Sequence, residues 1–192
     1  MVRGFVARHQ PAGSHHLLWG GRTWSGAEAP DGPYRVLVGR RGHNLKRVAG
    51  FSFHGHVFPV RGPHGTRGPI GEFGAPRSGG RTHEGFDVVA ACGTKLVAAR
   101  GGRVLRRGYD PVLYGNYVLI HGLGERRSYF YAHLPRPARV GLGERVRTGE
   151  RIGAVGESGN AITVGCHLHF EIHRRGVPAD PEPSLRRWDR YS

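Results

Sequence analysis

Lysine is nearly missing from this chain. Lys46 and Lys95 are the only two in 192 residues, so a net charge of +15 rests on arginine. No apolar run approaches the roughly 20 residues of a membrane span. The first residues, Met1-Val2-Arg3-Gly4-Phe5-Val6-Ala7-Arg8, do not lead into the apolar core of a signal peptide. A sustained apolar period of 3.6 is also lacking, which argues against a helical fold. Cysteine occurs twice, at Cys92 and Cys166. What abounds is glycine, 33 residues, with 13 prolines, the mark of short strands and many turns. The expected class is therefore all-β, one domain of ordinary size plus an extra module. A surface this basic attracts polyanions. The arginines are dispersed, however, so nucleic acid is supported by charge alone and is not the expected partner.

The chemistry concentrates near the end of the chain. Gly165-Cys166-His167-Leu168-His169-Phe170-Glu171, continued by Ile172, reads as a buried strand, and residues two apart on a strand share a face. His167 and His169 point one way, Leu168 and Phe170 the other. Such a pair alone is more often an incidental polar face than a metal site. Upstream, Arg81-Thr82-His83-Glu84-Gly85-Phe86-Asp87 places His83 and Asp87 four apart, an even separation that puts both on one face of a strand. Two histidines and one carboxylate are a standard ligand set for a catalytic zinc, with the fourth position left for water. Neutral imidazoles and a single carboxylate leave the ion net positive, so its water ionises near neutral pH.

With these residues in view, the chain resembles the lysostaphin-type zinc metalloendopeptidases, which cut peptidoglycan stems and cross-bridges. The family's three signatures stand in order: His83 to Asp87, then Tyr131-Ala132-His133-Leu134, then His167-Leu168-His169-Phe170-Glu171. Between them fall Gly93-Thr94, Gly102-Arg103-Val104, Gly115-Asn116-Tyr117-Val118 and Gly149-Glu150-Arg151-Ile152-Gly153, all in the family's pattern. The resemblance covers residues 71–183. It implies an antiparallel β-sheet peptidase domain of the barrel-sandwich hybrid type. It also implies a Zn2+ cofactor held by His83, Asp87 and His169, with His133 and His167 as catalytic groups. One of these orients or deprotonates the water; the other stabilises the developing oxyanion or protonates the leaving amine. Glu84 and Glu171 are possible bases on chemistry alone, Glu84 facing away from the metal on a regular strand and Glu171 sharing the face of His169. The implied partners are peptidoglycan peptides and, through the arginines, anionic wall polymers. The implied location is the cell envelope or outside the cell, reached through an N-terminus lying further upstream or an export route not visible here.

Residues 1–50 are similar to the later part of the immunoglobulin-like repeats of flagellar hook-capping proteins. They carry Trp19-Gly20-Gly21-Arg22 and then Ala29-Pro30-Asp31-Gly32-Pro33-Tyr34. Two strands, Leu17 to Thr23 and Ala29 to Val38, are expected in this partial β-sandwich module, which falls short of the about seven strands a sandwich needs. Residues 51–70 are expected as a linker and 184–192 as a C-terminal tail. Within the linker, His54-Gly55-His56 repeats the spacing of a metal pair, but the resemblance places no ligand there. His121 closes a strand without catalytic duty. The glycine rhythm of Val140 to Val155 is shared with lipoyl and biotinyl carriers, which need a lysine that this stretch lacks.

Two departures from the family pattern stand out. The loop from Asn160 to Cys166 is longer than usual, and Cys166 replaces the proline before the first histidine of the pair. If Asp87 and His169 meet on adjacent antiparallel strands at one zinc, as the resemblance implies, facing positions keep a near-constant sum of residue numbers. Cys92 and Cys166 almost share that sum, so a disulfide between them is expected. A noncatalytic wall-binding or amidase-activating relative is the alternative reading; such relatives usually lack ligands, whereas all five positions are filled here.

Overall fold

The computed structural model describes residues 3–6, 11, 13–26, 29–40 and 42–192. The stretch weighed as a leader falls partly outside them, at Met1, Val2, Ala7 and Arg8. The chain divides into two compact units, Met1–Gly55 and His56–Ser192. The first holds one antiparallel hairpin, β1 (Gly32–Val38) and β2 (Lys46–Phe53), with Gly32 opposite Phe53. The expected strand from Leu17 to Thr23 does not form; the chain bends there at Gly21, φ 68°. Trp19 instead folds onto the hairpin, its ring 5.1 Å from those of Tyr34 and Phe53, and its Nε1 donates to the Arg22 carbonyl at 2.8 Å.

The second unit is mostly antiparallel β-sheet. Its strands are β3 (Val60–Arg61), β4 (His64–Thr66), β5 (Phe86–Ala90), β6 (Lys95–Val97), β7 (Gly102–Asp110), β8 (Gly115–Gly122), β9 (Arg127–Leu134), β10 (Arg145–Val146), β11 (Arg151–Ala154), β12 (His167–Arg174) and β13 (Val177–Ala179). The main sheet runs β10-β7-β8-β9-β12-β5-β4, with β13 against the outer half of β12; a small sheet runs β11-β6-β3. Neither closes into a barrel, in keeping with the all-β expectation. Period two decides the layering. Leu168, Phe170 and Ile172 of β12 and Tyr129 and Tyr131 of β9 enter a core shared with Leu96, Val60 and Ile152 of the small sheet. The intervening residues of β9 and β12 line the opposite face.

Two segments expected to be irregular are structural. Part of 51–70 is strand: β3 pairs with β6 and β4 with β5, covering edges that would otherwise expose unpaired backbone groups. Residues 184–192 are largely α1 (Glu182–Asp189), whose Leu185 and Trp188, three apart, are buried in the core. Eight residues are too short for a helical period to stand out in sequence. Trp188 is wholly buried and stacks on His56 with ring centroids 5.0 Å apart. Trp188→Ala is expected to cost about 3–5 kcal/mol in urea unfolding; a free tail would give under about 0.5 kcal/mol.

Strands β5 and β12 pair with His169 opposite Asp87. That register carries Cys92 and Cys166 together, and they form a disulfide with Cα atoms 5.3 Å apart across 74 residues of chain. It ties the loop entering β12 to the end of β5. Replacing both cysteines with serine is expected to lower stability by about 4 kcal/mol on the chain-entropy estimate. The check is a melting temperature that falls equally in the double variant and in the reduced parent.

Candidate metal centre

The face of the main sheet opposite the core carries the histidines. His169 lies on β12 beside Asp87 of β5, and His83, just before β5, is fixed by backbone hydrogen bonds to Gly74 and Ala75. Gly85 permits this convergence: a Cβ there would meet the Phe170 carbonyl oxygen at 2.6 Å and His169 Cε1 at 2.7 Å. His83 Nε2 is 2.9 Å from His169 Nδ1, and each is 3.1 Å from Asp87 Oδ1. All three side chains are buried.

The chemistry of these atoms fits a cation. His83 Nδ1–H donates to the Glu72 carbonyl at 2.8 Å, and His169 Nε2–H donates to Glu171 Oε1 at 2.8 Å. These bonds assign lone pairs to His83 Nε2 and His169 Nδ1. Two lone pairs and a carboxylate oxygen thus face one another, and something positive must sit among them. Tetrahedral zinc with bonds of about 2.0–2.1 Å spaces its ligand atoms by about 3.3 Å, close to the observed triangle. Without an ion, a proton serves. Burial opposes charge on His169, but Asp87 and Glu171 outweigh it and raise its pKa to about 9. Burial would likewise raise the two carboxyls, yet hydrogen bonds from His169, with His83 or His173, hold Glu171 down at about 2 and Asp87 well below the usual range.

Two further imidazoles flank the triangle. His133 is buried at the end of β9 in the left-handed region, φ 62°, a conformation costly for any residue but glycine. Its Nδ1–H donates to the Ser158 carbonyl at 2.8 Å, and His167 Nδ1–H donates to the Gly165 carbonyl at 2.8 Å. Each keeps an unprotonated Nε2, and that of His167 is 3.8 Å from Asp87 Oδ1. Their ring centroids are 4.7 Å apart. Burial, aided by the other histidines, pushes His133 down to about 3; burial also lowers His167.

All five residues singled out in the sequence therefore share one face and one neighbourhood. Glu84 is exposed, while Glu171 is buried and occupied by His169 and His173. His56 instead bonds the Tyr129 hydroxyl at 2.9 Å and stacks on Trp188. His121 Nδ1 lies 3.2 Å from Ser128 Oγ across the β8–β9 pair. Sequence reasoning missed Arg67, whose Nη1 is 3.1 Å from Asp87 Oδ2, with Arg77 Nη2 at 3.8 Å. Together they hold the second carboxylate oxygen, leaving Oδ1 for the triangle. It also missed Tyr114, whose ring centroid is 5.8 Å from that of His169 and whose hydroxyl is kept protonated by burial and nearby carboxylates, its pKa pushed up to about 12. The Tyr114-Gly115-Asn116-Tyr117 sequence was the available signal for Tyr114; the arginines had none.

An open antiparallel sheet bearing two imidazoles and a carboxylate around one point is a scaffold for a divalent metal. The chain belongs to peptidase family M23, which it matches over residues 81–181, more than half its length. It is 38% identical over 103 residues to the peptidoglycan DD-endopeptidase ShyC of Vibrio cholerae, covering 53% of this chain and 22% of that protein. It is 34% identical over 134 residues to the murein hydrolase activator EnvC of Escherichia coli, covering 68% and 29%. A crystal structure of a zinc-containing peptidase from Vibrio cholerae superposes with a TM-score of 0.57 at 25% identity, covering 75% of this chain and 44% of that one. The chain spans less than half the length of the curated relatives it matches. Among the described residues, no helix is long and apolar enough to cross a membrane.

Proposed function

We propose that this chain is a zinc-dependent metalloendopeptidase that hydrolyses peptide bonds of peptidoglycan stems or cross-bridges, at the cell envelope or outside the cell. The observation that carries the reading is the triangle of His83 Nε2, Asp87 Oδ1 and His169 Nδ1, flanked by two neutral imidazoles with free Nε2 atoms. His83, Asp87 and His169 hold the ion, and Glu171 fixes the tautomer of His169. Bound zinc supplies Lewis acidity, lowering the pKa of a water and polarising a carbonyl. His133 and His167 each anchor Nδ1 on a backbone carbonyl and so present Nε2 in a fixed direction. One accepts the proton of the attacking water and, once charged, gives it to the leaving nitrogen. The Tyr114 O–H is a donor for the developing oxyanion, and the other imidazole orients the water by accepting a hydrogen bond at its Nε2. The β1–β2 hairpin closed by Trp19 supports reading residues 1–50 as part of an immunoglobulin-like module.

Similarity to EnvC favours a second reading, an activator without activity of its own. Zinc content together with release of new amino groups from purified peptidoglycan separates them: both are expected here, and an activator of this fold gives neither.

Metal uptake should also be linked to pH. A proton on His169 must leave before its Nδ1 can bind an ion, and that proton is held with a pKa of about 9. Zinc affinity is therefore expected to rise with pH up to about tenfold per unit below pH 9 and flatten above it. Calorimetry in buffers of different ionisation heat should show close to one proton released per ion near pH 7.

A further inference from the structure

We propose that an open cavity of about 610 Å³ on the histidine face is a subsite for a carboxylate of the substrate peptide, an inference that rests on the endopeptidase reading. Arg106, Arg126 and Arg175 line it beside His121 and His173, over a floor that includes Leu119. The one carboxylate in its wall, Glu125, is already engaged by His56 Nε2 at 3.3 Å, by Arg127 Nε at 3.5 Å and by the Tyr129 hydroxyl. No ion pair among the described residues involves Arg106, Arg126 or Arg175. Two of these guanidinium-bearing residues are pinned together at the sheet end, where the Arg175 N–H donates to the Arg126 carbonyl at 3.1 Å. The cavity thus gathers three guanidiniums whose one neighbouring carboxylate is engaged elsewhere, and planar guanidiniums suit the two oxygens of a carboxylate.

The cavity and the metal triangle share one floor. His169, Glu171 and His173 alternate along β12 on the same face, opposite Ala132, Phe130 and Ser128 of β9. Phe130 contacts the rings of both His169 and His173, each at 6.4 Å, and packs in one apolar cluster with Leu119. His173 lies four residues beyond His169, about 13 Å at ~3.3 Å per residue. An extended peptide cleaved at the triangle therefore brings a group about four residues from the scissile bond into the cavity. Leu119 accommodates the alkyl part of that group and the arginines its charge. An acidic peptide fits this spacing and lining better than a uniform phosphate polymer, which has no need of an apolar floor or of alignment with the triangle.

The test compares the parent with Arg126→Gln, Arg175→Gln and the double variant, on matched peptides whose carboxylates are free or amidated. Melting temperature and zinc content are measured for each protein. The expected result is KM for the free acid raised about tenfold or more in the double variant, kcat within about twofold, and no difference between parent and variant on the amide. An equal response of acid and amide, or an unchanged KM, overturns the proposal. Loss of polyphosphate binding with peptide KM unchanged overturns it too, assigning the cavity to a wall polymer. Calorimetric titration of His133→Ala with the same two peptides isolates binding from turnover. Preference for the acid that disappears on adding Arg126→Gln and Arg175→Gln supports the subsite even where no peptide is cleaved, an outcome that would sink the endopeptidase reading alone.

Discussion

His169→Ala is expected to abolish zinc binding and hydrolysis together, with amine release from peptidoglycan falling by more than about 10³-fold. The size of the effect follows from the position of the side chain. His169 is buried, donates Nε2–H to Glu171, and turns Nδ1 to within 2.9 Å of His83 Nε2 and 3.1 Å of Asp87 Oδ1. Alanine removes one corner of the triangle and leaves the Glu171 carboxylate short of a donor. Asp87→Ala should behave alike and in addition strand Arg67 and Arg77 without the oxygen they hold. Zinc retained at parental stoichiometry in either variant would contradict the ligand assignment, whatever the activity.

His133→Ala is expected to separate the two properties. Its Nδ1 is committed to the Ser158 carbonyl and its ring centroid is 5.9 Å from that of His169, beside the triangle rather than in it. Metal content should stay at the parental level while turnover falls by about 10²–10⁴-fold, the usual worth of a positioned proton-transfer group. Alanine at a φ of 62° retains the backbone strain, so the loss cannot be credited to relaxation of the β9 end. Full activity in this variant would remove His133 from the reaction.

What the sequence made legible was whatever depends on period two and on register. The alternation of His167, His169 and Glu171 with Leu168, Phe170 and Ile172 separates a polar face from a core face, and the strand does so in the fold. Antiparallel pairing conserves the sum of facing positions, so placing Asp87 opposite His169 carries Cys92 to Cys166. What stayed hidden depends on contacts between segments without a pattern of their own. Arg67 and Arg77 reach Asp87 from glycine- and proline-rich loops. The strands at Val60 and His64 gain their identity only by covering the edges of β6 and β5. The single buried stripe of α1, Leu185 and Trp188, is too brief to read as a helix. The strand expected at Leu17 to Thr23 fails because aromatic packing of Trp19 and two successive glycines outweigh local extended propensity.

Anomalous diffraction at the zinc edge, on crystals of the chain equilibrated with zinc, tests the central claim most directly. The account places one strong peak about 2.0–2.2 Å from His83 Nε2, Asp87 Oδ1 and His169 Nδ1. A peak elsewhere, at His56 for instance, or no peak from protein that still cleaves peptidoglycan, would contradict it.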